Sequence, residues 1–165
     1  MDTETAAILA NTFTQVLSIL IAVWYVAPWM RRQSKATSLT ILLWVHAPRY
    51  IALQVFSAQQ HGFAIPDALR DQIAYGDLAC AILAVFAIVL LRYRSSAAIL
   101  VTYLFLVVNV IDLLNAMAGG IQAGMMAAAH GITWLILAFY VPILFTTTGL
   151  IAWVLLSKNG EPSES

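Results

Sequence analysis

Five apolar runs, each near the ~20-residue length that a bilayer's hydrocarbon core demands of a helix, constrain this chain more than any other feature. They cover about residues 6–30, 37–59, 68–92, 97–118 and 131–156. A backbone immersed in lipid must pair its own N–H and C=O groups, and runs of this length do so as helices. The 165 residues are 62% hydrophobic and 10% charged, with a mean hydropathy of +0.87, a balance that excludes an ordinary water-soluble domain. The expectation is an all-α, polytopic integral membrane protein. Residues 1–156 form a single bundle of five transmembrane helices, and 157–165 form a disordered cytoplasmic tail.

The links between runs carry turn residues: Gln33-Ser34, Gly62 with Pro66-Asp67, Ser95-Ser96, and Gly119-Gly120 through Gly131. Pro66 suits the first turn of the third helix, where a missing N–H is no loss. Arg31, Arg32, Lys35, Arg92, Arg94 and Lys158 then fall on one side of the bundle. Arg70 falls on the other with Asp2, Glu4, Asp67 and Asp71. The positive-inside rule puts the N-terminus outside and the C-terminus in the cytoplasm, at the inner membrane if the source is bacterial. Asp2 and Glu4 precede the first run where a cleaved signal peptide would carry Lys or Arg, so that run is expected to stay as a spanning helix. Trp24, Tyr25, Trp29, Tyr93 and Trp153 suit an interfacial belt. Zero formal net charge gives no basic stripe for nucleic acid, and the lone Cys80 has no intrachain disulfide partner.

Polar residues inside the runs are the candidates for function. Arg49 lies in the middle of the second run, where an unpaired cation costs at least about 2.5–3.5 kcal/mol. His46 is three residues before it and Tyr50 four residues after His46, spacings that can share a helix face. Asp77 on the third run, and Asn109, Asp112 and Asn115 on the fourth, fall at overlapping depth at about 1.5 Å of rise per residue. The expectation is that Asp77 and Asp112 neutralise Arg49 in a shared interior. One arginine against two aspartates leaves an excess charge, so either His46 is protonated or one aspartate holds a proton. That makes His46 and Asp77 the candidates for proton handling. Arg49, Tyr50, Gln54, Asn109, Asp112, Asn115 and Tyr140 are the candidates for holding a ligand. The same charges could equally serve as structural glue that fixes helix register.

Other patterns point to packing. Asn11, Gln15 and Ser18 share one face of the first helix, which should turn toward the bundle. Gly76, Cys80 and Ala84 form a small-residue seam on the third. Pro142 should kink the fifth helix and free a carbonyl near Ala138, opening space beside Tyr140. His61 falls in a loop and His130 at an interface. The lysines, Lys35 and Lys158, lie at an end, which excludes a mid-membrane retinal Schiff base. His46 and His130 are mismatched in depth for a bis-histidine haem. No HExxH, Cys/His cluster or Gly-rich phosphate loop is present, and no cofactor or metal is expected. Internal inverted repeats of a transporter are not apparent.

The His46-x-Pro48 of the second helix, the Asp77-Leu78 pair on the third and Tyr140-Val141-Pro142 on the fifth together resemble the EXPERA superfamily of emopamil-binding isomerases and the sigma-2 receptor. The resemblance spans residues 37–156. It implies a helical bundle around a lipophilic cavity open to the membrane, with Asp77 matching the family's third-helix acid and His46 its second-helix histidine. Tyr50 or Gln54 stands where the second-helix acid would be. That departure, with Arg49 beside it, turns the expectation from isomerase proton chemistry toward binding of an anionic or neutral lipid or small lipophilic molecule. The alternatives are a non-catalytic subunit or assembly factor with a membrane-protein or homo-oligomeric partner, and a proton-coupled carrier.

Overall fold

The computed structural model describes residues 1–157, and the region expected to be a disordered tail lies outside them from residue 158 onward. Among the described residues there is no strand. Five helical spans are long and apolar enough to cross a membrane: α1 (Thr3–Met30), α2 (Lys35–Gln60), α3 (Asp67–Arg92), α4 (Ala98–Gln122) and α5 (Gly131–Ser157). Large apolar side chains such as Phe13, Ile82, Leu100 and Ile121 face outward, as they would toward lipid. Helices α2 to α5 pack in a ring, α2 on α3, α3 on α4, α4 on α5 and α5 on α2. Helix α1 stands outside the ring, against α5 and the helical turn Met125–Ala128.

Local chemistry explains several ends. Asp2 caps α1 by accepting from the Thr5 N–H at 2.8 Å, and that bond holds its carboxyl below the usual value of 3.8. Ser34 caps α2 by accepting from the Thr37 N–H at 3.1 Å. Pro66 is the cap residue of α3, one position before the first turn expected for it. The Gly119-Gly120 pair does not end α4, which runs on to Gln122. These glycines serve close packing: a Cβ on Gly119 would meet the Leu69 side chain at 2.5 Å. The chain turns instead at Gly124, whose φ of +64° suits a residue without a Cβ.

Interior prolines shape three of the spans. Pro28 follows a π-helical segment, Ala22–Val26, in α1, and Pro142 follows another, Ile136–Tyr140, in α5. Pro48 sits in a 3-10 stretch, Ala47–Leu53, so α2 is not the continuous α-helix expected across this region. Each distortion changes which carbonyl loses its partner. In α5 the Val141 N–H bonds Ile136 O, five residues back. The next carbonyl in that register is Leu137's, and its partner would be the N–H that Pro142 lacks. Asn11 Nδ2 of α1 donates to Leu137 O at 2.7 Å, so the freed carbonyl expected near Ala138 is that of its neighbour Leu137. In α2, Val45 stands three residues before Pro48, and its carbonyl accepts from the Tyr140 hydroxyl at 2.8 Å. Two helices broken by proline are thus completed by side chains from other helices.

The two ends of the bundle are filled differently. Met30, Leu39, Leu43, Ala84, Phe105 and Ile151 belong to one closed core at the end where α1 and α3 finish. Toward the other end lies an open space, and a smaller cluster of Val55, Phe63, Leu69 and Met125 packs there, with Val55, Phe63 and Met125 in the wall of that space.

Candidate functional site

Arg49 sits at the boundary between the closed and hollow halves, and its side chain is 1% exposed. The 3-10 stretch puts it there. At three residues per turn, positions three apart superimpose, and His46, Arg49, Ala52 and Val55 are all buried on one face. The same geometry corrects the expectation for Tyr50. Four residues of 3-10 helix rotate it about 120° from His46, against about 40° in an α-helix, and Tyr50 faces outward, 58% exposed.

Three nitrogens of Arg49 are each engaged by a different residue. Nε donates to Asp77 Oδ1, Nη1 to Asn109 Oδ1 and Nη2 to Asp112 Oδ2. Helices α3 and α4 thus both supply acids to α2, as expected. Asn115, one turn beyond Asp112, is exposed and does not join them: each step of three turns the helix face by about 60°, so Asn115 lies about 120° around from Asn109 and only Asn109 and Asp112 share the Arg49 side. Gly76 makes room for the second acid: a Cβ there would lie 1.8 Å from Asp112 Oδ1. The seam glycine expected for helix packing therefore houses a carboxylate.

Helix α5 holds this set through three consecutive threonines, which successive ~100° rotations aim at three different helices. Thr146 faces α1, bonding Gln15 Nε2 at 2.9 Å and Ser18 Oγ at 2.7 Å. Thr147 faces α2, 3.0 Å from His46 Nε2, and Thr148 faces α4, accepting from Asn109 Nδ2 at 2.8 Å. The hydroxyls of Thr147 and Thr148 donate to Ile143 O at 2.8 Å and Leu144 O at 2.6 Å, so both use their lone pairs for the neighbouring helix. That directs the Asn109 carbonyl oxygen at Arg49 and places a hydrogen on His46 Nε2. His46 Nδ1 has no hydrogen-bond partner, and the ring meets Phe105 edge-on at 5.1 Å. His46 contacts neither aspartate by hydrogen bond.

A cavity of about 980 Å³ lies between α1 and the ring. Most of its wall is apolar. Its polar lining includes Asn11, Gln15, Arg49, Gln54, Asp77 and Tyr140, and Glu4 stands at the end nearest the first turn of α1. Of the expected site residues, Arg49, Gln54, Asp77 and Tyr140 border the space. Asn109 and Asp112 stand behind Arg49, His46 does not reach the cavity, and Tyr50 and Asn115 point away. Gly149 lines it too, and a Cβ there would meet nothing within 4 Å. By sequence pattern Gly76 is assigned to packing alone, and Gly149 and Thr146–Thr148 are not singled out. The run of three hydroxyls inside an apolar helix was the available signal, since each must find an acceptor away from lipid.

A family model described as "Domain of unknown function (DUF8737)" matches residues 6–156, and the chain belongs to that family. No curated protein and no solved structure matches it.

Proposed function

We propose that this member of the family is a multi-pass membrane protein that binds a small lipophilic molecule in the cavity between α1 and the ring. The observation that carries the reading is the meeting of a mostly apolar space of about 980 Å³ with the Arg49–Asp77 pair at its wall. Structural glue alone needs no adjoining void, whereas ligand sites combine apolar walls with a few placed polar groups. A cavity beside an acid of the third span is also what the EXPERA resemblance leads one to expect. Arg31, Arg32, Lys35, Arg92 and Arg94 gather at the closed end, so that end faces the cytoplasm and the cavity lies toward the opposite leaflet.

The role is binding rather than catalysis. His46 is fully buried behind the wall and bonded to Thr147, out of reach of an occupant. A proton-coupled carrier would need a polar route through the closed half, where the packed side chains are Leu, Ala, Ile and Phe. The assembly-subunit reading rests on a different feature, a shallow outward groove of about 690 Å³ lined by Trp44, Pro48, Tyr50 and Phe86. Mass spectrometry of the purified protein separates the two. A small molecule should co-purify with the wild type and be depleted in Gly149→Leu, whose side chain would project into the cavity. An unchanged complement of small molecules in that variant, or a stoichiometric protein partner alone, overturns the proposal.

A further inference from the structure

The cavity is long, and its polar wall lies near the middle of that length. Glu4, Ile8, Asn11, Gln15, Ile19 and Ala22 all line the space, and spacings of three and four place them on one stripe of α1. From Glu4 to Ala22 the stripe runs about 27 Å at 1.5 Å per residue, close to the ~30 Å hydrocarbon thickness of a bilayer. Helix α5 lines the same space from Thr133 to Leu150. At the closed end the ring has a filled core, but the seam between α1 and the ring stays open as far as Ala22 and Leu150.

Along this seam the polarity changes twice. Asn11 and Gln15 of α1, Tyr140 and Thr146 of α5 and the Arg49–Asp77 pair form a polar waist. Hydrogen bonds hold these groups at one level: Asn11 to Leu137 O, Gln15 to Thr146, and Tyr140 to Val45 O, about one turn from Arg49. The amides of Asn11 and Gln15 each make a single side-chain bond among the described residues, which leaves both an oxygen and an N–H for an occupant. Toward the closed end the wall is Ile19, Ala22, Phe145, Gly149 and Leu150, with no polar side chain. Toward the other end it is largely Ile8, Met117, Ile121 and Met126. The polar exceptions there are Gln54, Glu4 at the rim, and Thr133, whose hydroxyl already donates to His130 O. From this order of apolar, polar and apolar wall, and resting on the proposed binding role, we infer that the ligand is an elongated lipophile carrying its polar group between two apolar arms. A hydroxyl, an ester or an amide at that position would meet the waist. A lipid with a terminal headgroup would set either its head against Ile19, Phe145 and Leu150 or its methylenes against the waist amides. Either arrangement buries polar groups without partners.

Positional isomers test this on the full chain in nanodiscs, with binding read by native mass spectrometry and by the shift in unfolding temperature. The probes are 10-eicosanol and 1-eicosanol, identical in composition and in hydrogen-bonding capacity. 10-Eicosanol should bind at least about tenfold more tightly, the ratio expected when a buried polar group finds its partner rather than going without. Gln15→Leu should shrink that preference several-fold while both alcohols still bind. Gly149→Leu, whose side chain would project into the arm at the closed end, should weaken 10-eicosanol several-fold. Equal binding of the isomers, tighter binding of 1-eicosanol, or a preference unchanged in Gln15→Leu, each with weakening in Gly149→Leu, overturns the central polar group and leaves the cavity as a binding site. Binding of neither alcohol, or binding indifferent to Gly149→Leu, overturns both.

Discussion

The closed and hollow halves of this bundle are built from the same five helices and the same apolar composition, yet they solve opposite problems. In the closed half, Leu39, Leu43, Ala84, Phe105, Ile151 and Leu155 fill the interior with side chains that need no polar partner. In the hollow half the helices are held by directed bonds: Arg49 to three residues, Asn11 to a carbonyl freed by Pro142, and three threonines to three helices. Within lipid there is little hydrophobic drive between helices, so close packing or hydrogen bonds must supply association. The bundle uses one at each end. Directed bonds can hold helices apart at fixed separation, which close packing cannot, and the larger cavity opens beside the bonded residues.

The contrast can be broken most forcefully at the boundary. Arg49→Met should leave Asp77 and Asp112 facing each other without a cation, costing about 3–5 kcal/mol of stability in denaturant unfolding. Adding Asp77→Asn and Asp112→Asn to that variant should recover part of the loss; no recovery would mean the arginine acts by packing alone. Next in size is the difference between halves under truncation. Phe105→Ala in the closed core should cost about 3–5 kcal/mol by cavity creation. Phe145→Ala, at the cavity wall and only partly buried, should cost distinctly less, because it enlarges a space that is already open. Equal costs would show that the hollow half is packed after all. Gly76→Ala should follow at about 1–3 kcal/mol, because its methyl group displaces the Asp112 carboxylate. Gly149→Leu should be neutral or stabilising by up to about 1 kcal/mol, since it adds helix propensity and enters open space.

The smallest effect concerns the cap of α1, the helix that closes the hollow half. The folded-state value of Asp2 is depressed by its bond from Thr5, so its contribution is present above 3.8 and fades as pH falls through the lower folded value. Hydrogen exchange in the first turn of α1 should therefore quicken at acid pH, while exchange in α3 and α4 stays constant. Uniform quickening along all five helices would point to a global cause.

Lengths of apolar run and the distribution of arginine and aspartate were enough to derive the five spans and the pairing of Arg49 with acids from α3 and α4. Hydrocarbon thickness and the cost of a lone buried charge act on any chain and need no knowledge of neighbours. The outward turn of Tyr50, the continuation of α4 through Gly119-Gly120 and the commitment of every arginine nitrogen were not derivable that way. Tyr50 turned on whether Pro48 would be absorbed as 3-10 or α geometry, and Gly119 on whether Leu69 lay opposite. Those outcomes depend on which side chain of a distant helix completes a carbonyl or fills a notch, and residues such as Asn11, Tyr140 and Thr148 act 39 or more positions away along the chain. Local chemistry thus dictated where helices and charges must be; only the packed bundle decided which polar atoms were spent on the fold and which were left facing a cavity.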